Sequence, residues 1–169
     1  HFKRGALAWI QLERHPYIVQ ARGVLSLGEQ LFLGLEYIAP DEFGRNSLSQ
    51  HLQSRVPLLR ALRWAVQFCD AMEHARTKGV TPHRDTEPAN LMVTHQGDLK
   101  VIDFDLAGVW KQAAAPAAIA QPQLNRQPGM TFIQGLDGDG AAGTRPWMAP
   151  EQFDGETSVQ SDIYSFGVV

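Results

Sequence analysis

The octapeptide His83-Arg84-Asp85-Thr86-Glu87-Pro88-Ala89-Asn90 is the feature that most narrows what this chain can fold into. It crowds four ionisable side chains and an amide between a long helical pattern and a short apolar run, and Asp103-Phe104-Asp105 follows eighteen residues after Asp85. Between the two lie Leu91 to Thr94 and Leu99 to Ile102, apolar runs separated by Gln96-Gly97, which predict a small hairpin. A hairpin closing at Gln96-Gly97 brings Asn90 and Asp103 to its same end. There two oxygen-bearing side chains can share a hard divalent cation. Asp85 falls beside them as a base. A metal that neutralises phosphate charge, next to a carboxylate that orients a hydroxyl, suits phosphoryl transfer, where positioning supplies most of the acceleration.

The flanking patterns agree with a mixed fold. Pro57 to Lys78 predicts a long helix, with Pro57 suited to its start, Gly79 to its end, and Leu58, Leu62, Val66, Cys69 and Met72 on one apolar, core-facing stripe. Phe2, Ala6, Trp9 and Ile10 predict a short amphipathic helix that ends before His15-Pro16. Ile18 to Leu27 and Gln30 to Ile38 read as an antiparallel hairpin turning at Gly28-Glu29. From about Lys111 to Gly143 the composition shifts to Ala, Gln, Pro and Gly without periodicity, which predicts a disordered extension with no element of its own. Ser158 to Val169 predicts a further helix with Ile163, Phe166 and Val169 on its apolar face.

Composition removes other classes. At 169 residues the chain is about one domain or a piece of one, and 44% hydrophobic with 20% charged residues excludes a disordered tail or a coiled coil. A net charge of −3 gives no electrostatic footprint for nucleic acid or acidic membranes. Cys69, the single cysteine, makes no internal disulfide, so a reducing, cytoplasmic setting is expected. No apolar run reaches the roughly 18 to 20 residues of a membrane span. His1 in place of Met marks the sequence as an expected fragment.

His83 to Asn90 resembles the catalytic loop of the protein kinase family, and further landmarks follow in that family's order. His15-Pro16-Tyr17-Ile18-Val19 is similar to the turn after the regulatory helix, and Leu35-Glu36-Tyr37-Ile38 to the hinge. Asp103-Phe104 resembles the opening of the activation segment and Gly143 to Glu151 its close, while Ser161 to Gly167 is similar to the start of the helix beneath the catalytic loop. The resemblance implies a partial bilobal α+β fold. Residues 1–39 would be the remainder of the small lobe, with the regulatory helix and two strands. Residues 40–169 would be a partial helical lobe carrying hinge, catalytic loop and an activation segment over 103–151. It implies Asp85 as catalytic base and Asn90 and Asp103 as Mg²⁺ ligands. ATP would lie with its adenine on the backbone of Glu36 and Ile38, Leu35 at the gatekeeper position and Met92 beneath the ring. Asp162 would hold the catalytic-loop backbone, and Glu151 would brace the activation segment against an Arg further along than Val169. His83 would be a packed structural residue, and Arg84 either a brace or the partner of a phosphorylated loop. Thr131 and Thr144 are the only hydroxyl side chains between Phe104 and Pro150, so Thr131 is the candidate for loop phosphorylation and Thr144 the residue near the acceptor.

The implied activity is transfer of the terminal phosphoryl group of ATP to Ser or Thr hydroxyls of a protein substrate, with the isolated fragment inactive. Three departures support a second reading, a pseudokinase that binds nucleotide or protein without turnover. Glu87 stands where the family places a phosphate-touching Lys, and a carboxylate about 4 Å from phosphate at an effective dielectric of 20 is repelled by about 4 kcal/mol. Asp105 replaces a Gly, and Gly5 falls where the regulatory-helix Glu would align. Asp105 also motivates a third reading, a small-molecule phosphotransferase of the aminoglycoside or choline kinase type.

Overall fold

The computed structural model describes residues 2–27, 30–80, 82–104, 130–134 and 145–169. Helix α1 (Phe2–Gln11) precedes the antiparallel hairpin β1 (Ala21–Leu27) and β2 (Gln30–Glu36). The short α2 (Leu48–His51) and the 20-residue α3 (Leu58–Thr77) follow. A single 3-10 turn at Pro88–Asn90 leads into the hairpin β3 (Leu91–Val93) and β4 (Leu99–Val101). Strand β5 (Met130–Gln134), 3-10 turns at Arg145–Trp147 and Pro150–Asp154, and α4 (Val159–Val168) complete an α+β architecture.

The β3–β4 hairpin joins the two halves of the fold. On one side the backbone of residues 17 to 19 runs parallel to β4, with Val101 N–H donating to the Tyr17 carbonyl and Val19 N–H to the Val101 carbonyl, both at 2.9 Å. On the other side Val93 N–H donates to the Asn46 carbonyl at 3.0 Å, just before α2. β1 therefore starts at Ala21 rather than Ile18, because Ile18 is paired with Val101 instead. Trp9 of α1 locks this crossing through its indole N–H, which donates to the Val19 carbonyl at 2.9 Å.

α3 lies on the hairpin through polar as well as apolar groups. Gln67 accepts from Leu99 N–H at 2.8 Å and donates to Asp98 at 2.6 Å, and the Trp64 indole donates to the Gly97 carbonyl at 2.9 Å. The buried face is Trp64, Gln67, Phe68, Ala71, Met72 and Ala75. This corrects the predicted stripe: Leu58, Leu62 and Val66 are 73%, 52% and 69% exposed, Cys69 is exposed, and only Met72 is in the core. At 100° per residue the two stripes are centred about 130° apart and meet at Met72, so periodicity finds both and cannot rank them. The aromatic pair decides, since Phe68 stacks on Phe166 of α4 with centroids 4.3 Å apart. On α4, correspondingly, Phe166 packs inward while Ile163 is 42% exposed.

β5 is a second correction. The segment expected to lack structure contains a strand, and its backbone pairs antiparallel with β2 from Phe32↔Gln134 to Glu36↔Met130. Backbone donors and acceptors along the edge of β2 accept a strand whatever its side chains, which composition does not register. The remainder of the expected disordered extension lies outside the described residues, as do Asp105 and Thr144.

His15 closes the turn between α1 and β1. Its Nδ1 accepts Tyr17 N–H at 3.3 Å and its ring stacks on His74 of α3 at 4.5 Å. Burial foremost, and then the neighbouring His74, push its pKa below the ordinary histidine value, against the pull of Asp70. Neutral His15 thus contributes stability that is present above about pH 6.5 and is lost as pH falls from there through its lower folded value. Melting temperature should drop between pH 7.5 and 5.5, and the drop should be smaller in His15→Gln; an equal drop in both proteins would contradict this assignment.

Candidate functional site

The backbone of the octapeptide is held in a conformation that it would not adopt alone. Arg84 has φ of 71° and Asp103 of 66°, left-handed values that non-glycine residues rarely take and that surrounding structure must enforce. The enforcing group is Asp162, in the first turn of α4, whose two carboxylate oxygens accept His83 N–H at 2.7 Å and Arg84 N–H at 2.8 Å. This is the contact expected of Asp162. Gln152 adds a second hold, donating from its amide to the Arg84 carbonyl at 3.2 Å. Sequence reading missed Gln152, since nothing in its position within a Pro-initiated turn marks a long-range contact.

His83 is 1% exposed and has the packed role anticipated for it. Its Nδ1 accepts Asp85 N–H at 3.4 Å, which leaves Nε2 to donate to the Ile102 carbonyl at 2.7 Å. The ring meets Phe104 edge-on at 4.9 Å. One imidazole therefore spans the two backbones that carry Asp85 and Asp103.

Asp85, Asn90 and Asp103 come together at the end of the β3–β4 hairpin. Asn90 Nδ2 donates both to the Asp85 carbonyl at 2.9 Å and to Asp85 Oδ2 at 3.0 Å, and Ile102 N–H donates to the Asn90 carbonyl at 3.1 Å. Asn90 is thereby tied to Asp85 directly and to the residue before Asp103. With its amide nitrogen committed, Asn90 has its side-chain oxygen left for another partner. Oδ1 of Asp85 and Oδ1 of Asp103 are buried atoms without a hydrogen-bond partner. Burial foremost, with Asp85 adding to it, pushes the Asp103 pKa up. Glu87 is also raised, first by burial and then by Asp85 and Asp103. Three carboxylates thus share one region, and the site gains by taking up positive charge. Among the described residues no cluster of three His, Cys, Asp or Glu side chains forms a self-sufficient metal cage.

A cavity of about 120 Å³ lies beside this cluster, lined by Leu35, Glu36, Ile38 and Met92, all four predicted, and by Val19, Tyr37, Asn46 and Ile102, which sequence reading did not assign. Ile102 could have been found from alternation, because residues two apart in a strand share a face and Met92 is paired across the hairpin with Lys100. The Glu36 side chain itself is structural: it accepts from Lys100 Nζ at 2.7 and 2.8 Å and from Gln20 N–H at 3.2 Å. The Asn46 amide donates to the Ile38 carbonyl at 3.1 Å, anchoring the far wall. Glu151 accepts from Ser161 Oγ at 2.6 Å. Thr131 lies in β5 opposite Leu35, and Gly5 lies within α1.

A protein kinase domain model matches residues 6–169. The chain belongs to the protein kinase family. CBL-interacting serine/threonine-protein kinase 18 of Arabidopsis thaliana is 29% identical over 173 residues, covering 100% of this chain and 28% of that protein. The probable serine/threonine-protein kinase PknB of Lactococcus lactis is 30% identical over 171 residues, covering 99% of this chain and 23% of that protein. A further relative, the probable serine/threonine-protein kinase SCO3848 of Streptomyces coelicolor, is 31% identical over 98% of this chain and 22% of its own length. The chain spans under a third of the length of these curated relatives. Among the described residues of this kinase chain no helix is long and apolar enough to cross a membrane.

Removing the Asp162 carboxylate strands two backbone donors, each of which costs about 1–3 kcal/mol when buried and unpaired. Asp162→Ala should therefore lower unfolding free energy by about 2–6 kcal/mol in urea titrations, and Asp162→Asn by less; a loss under about 0.5 kcal/mol for the alanine variant would show that Asp162 is not what holds the loop.

Proposed function

We propose that this chain is the part of a serine/threonine protein kinase that orients the acceptor hydroxyl and holds the Mg²⁺–ATP phosphates. The observation that carries the reading is the double hydrogen bond from Asn90 Nδ2 to Asp85, set beside Asp103 by the Ile102–Asn90 backbone bond. The donor set suits the metal: hard oxygens, few protein ligands, and two buried carboxylate oxygens without partners. Asn90 and Asp103 would hold Mg²⁺, which when bound neutralises charge on the phosphoryl group in transfer. Asp85, steadied by Asn90, accepts the hydrogen bond of the acceptor hydroxyl and then its proton. Leu35, Met92 and Ile102 exclude water from one side, and the backbone of Glu36 and Ile38 would orient adenine. In this reading residues 1–39 belong to the small lobe and 40–169 to the helical lobe, and the single exposed Cys69 suits a cytoplasmic setting.

Glu87 favours a second reading. Half-buried and facing Asp85 and Asp103, it adds negative charge where a phosphate must sit, which is consistent with a pseudokinase that binds without turnover. No comparable feature of the described residues favours the small-molecule phosphotransferase.

In the full-length protein, Asp85→Asn should lower phosphoryl transfer to a protein acceptor by about a thousandfold or more, the span assigned to a base together with its orienting role. ATP binding, read by thermal shift with Mg²⁺, should persist in Asp85→Asn and weaken in Asp103→Ala. Binding without measurable transfer by the unaltered protein would establish the pseudokinase. Glu87→Lys should raise transfer by about tenfold or more, since it replaces repulsion of phosphate by attraction; unchanged rates would show that Glu87 turns away when nucleotide is bound.

A further inference from the structure

Gln152 is a buried amide with partners on two separate parts of the chain. Its Oε1 accepts Ala149 N–H at 2.8 Å, at the head of the 3-10 turn Pro150–Asp154, and its Nε2 donates to the Arg84 carbonyl at 3.2 Å. We infer that Gln152 is a positioning residue for Asp85, holding the peptide group that precedes the proposed base and tying its aim to the seat of the Pro150–Asp154 turn. The inference rests on the kinase reading above and adds to it a residue on which turnover depends without contact with substrate.

The choice of peptide group matters first. Asp162 takes the N–H groups of His83 and Arg84, and so fixes the two peptide groups earlier in the chain. The next one, between Arg84 and Asp85, is the one from which the Asp85 side chain springs. Its carbonyl is bound by Gln152, and its N–H reaches His83 Nδ1 only at 3.4 Å, a long bond that orients it weakly. With φ of Arg84 already set at 71°, the tilt of that planar group decides where the Asp85 carboxylate points. The polarity of the amide agrees. Ala149 presents a donor and Arg84 an acceptor, so one orientation of the Gln152 amide satisfies both and the flipped one satisfies neither. The turn behind it is braced. Gly155, at φ of 85°, closes it with an N–H on the Gln152 carbonyl at 3.1 Å, and Glu151 fastens it to α4 by accepting from Ser161 Oγ at 2.6 Å. Ser165 Oγ lies 3.3 Å from Gln152 Oε1, but its one proton has a nearer acceptor in the Ser161 carbonyl at 2.9 Å. A displacement of the turn therefore passes through the amide to the Arg84–Asp85 peptide group.

The test uses the full-length protein carrying Gln152→Met, which removes both bonds, or Gln152→Glu, which removes only the donor to Arg84. Each should lower kcat for transfer to a serine peptide by about tenfold to a hundredfold, the cost of a misplaced reacting group, with KM for ATP within about twofold. In the Asp85→Asn background neither should lower the residual rate further, because positioning acts through the base, whereas a merely structural role would lower it by the same factor. Independently of turnover, amide exchange resolved to single residues should speed up about fivefold at Asp85, the equivalent of one net hydrogen bond, and stay within about twofold at His83 and Arg84. Unchanged kcat, an equal fall in the Asp85→Asn background, or equal loosening at all three amides overturns the proposal. Failure of both variants to fold overturns it too, since a residue that only aims one peptide group is dispensable to the fold. If the unaltered protein transfers no phosphoryl group, selective loosening at Asp85 retains the hold by Gln152 and sinks the kinase reading. Transfer without the kcat fall and the selective loosening does the reverse, and neither transfer nor selective loosening removes both.

Discussion

Asp162 accepts two consecutive backbone N–H groups, and the geometry of the site descends from that single carboxylate. Its hydrogen bonds hold Arg84 in a left-handed conformation that a residue with a Cβ adopts only under constraint. The reversal at Arg84 turns Asp85 back toward Asn90. The same reversal sets the His83 ring between the Asp85 N–H and the Ile102 carbonyl, and so fixes the spacing of the two chain segments that carry the acids. Asp162 can do this because α4 begins at Ser158, where Ser158 and Ser161 cap each other, and Phe166 further along anchors the helix on Phe68.

Around this point the protein is organised as a hairpin gripped from both sides. β4 is paired with residues 17 to 19 and β3 with residues 46 and 47, while α3 covers its turn through Trp64 and Gln67. Apolar burial supplies the bulk of the grip, with Trp9, Leu33, Phe68, Leu91, Leu99 and Val101 in one continuous core. The polar bonds choose the register. A strand slipped by one residue would turn its core side chains to the other face and would also take from Gln67 and the Trp64 indole their hydrogen-bond partners, so burial and polar pairing specify the same register.

Short-range chemistry made much of this legible in the amino-acid order. Two residues lie between Leu27 and Gln30, which are paired across the first hairpin; Gly97 has φ of 85°, the conformation that the second turn requires; and Pro57 and Gly79 bracket α3 closely. Asn90 and Asp103 were expected at one end of a hairpin because a short antiparallel pair leaves no other place for them. What escaped was decided at long range. α3 carries two apolar stripes, and only the aromatic ring on α4 and the amide partners of Gln67 select the buried one. The strand at Met130–Gln134 pairs its backbone with the edge of β2, a partner that its own composition does not announce. Gln152 reaches Arg84 across 68 residues, and Asn46 reaches Ile38 from beyond a turn, neither through a pattern that spacing could announce.

The ion pair between Lys100 and Glu36 joins β4 to the end of β2, with side chains 14% and 28% exposed. It ties the hairpin that carries Asn90 at its end to the small sheet, at the edge of the cavity that Glu36 lines. A charge pair sheltered to this degree is reached poorly by dissolved salt, whose screening works on exposed groups over about 8 Å. The join between β2 and β4 beside the cavity is therefore little affected by ordinary changes of ionic strength, and the two side chains that make it are hydrogen-bonded to neither Asp85 nor Asp103.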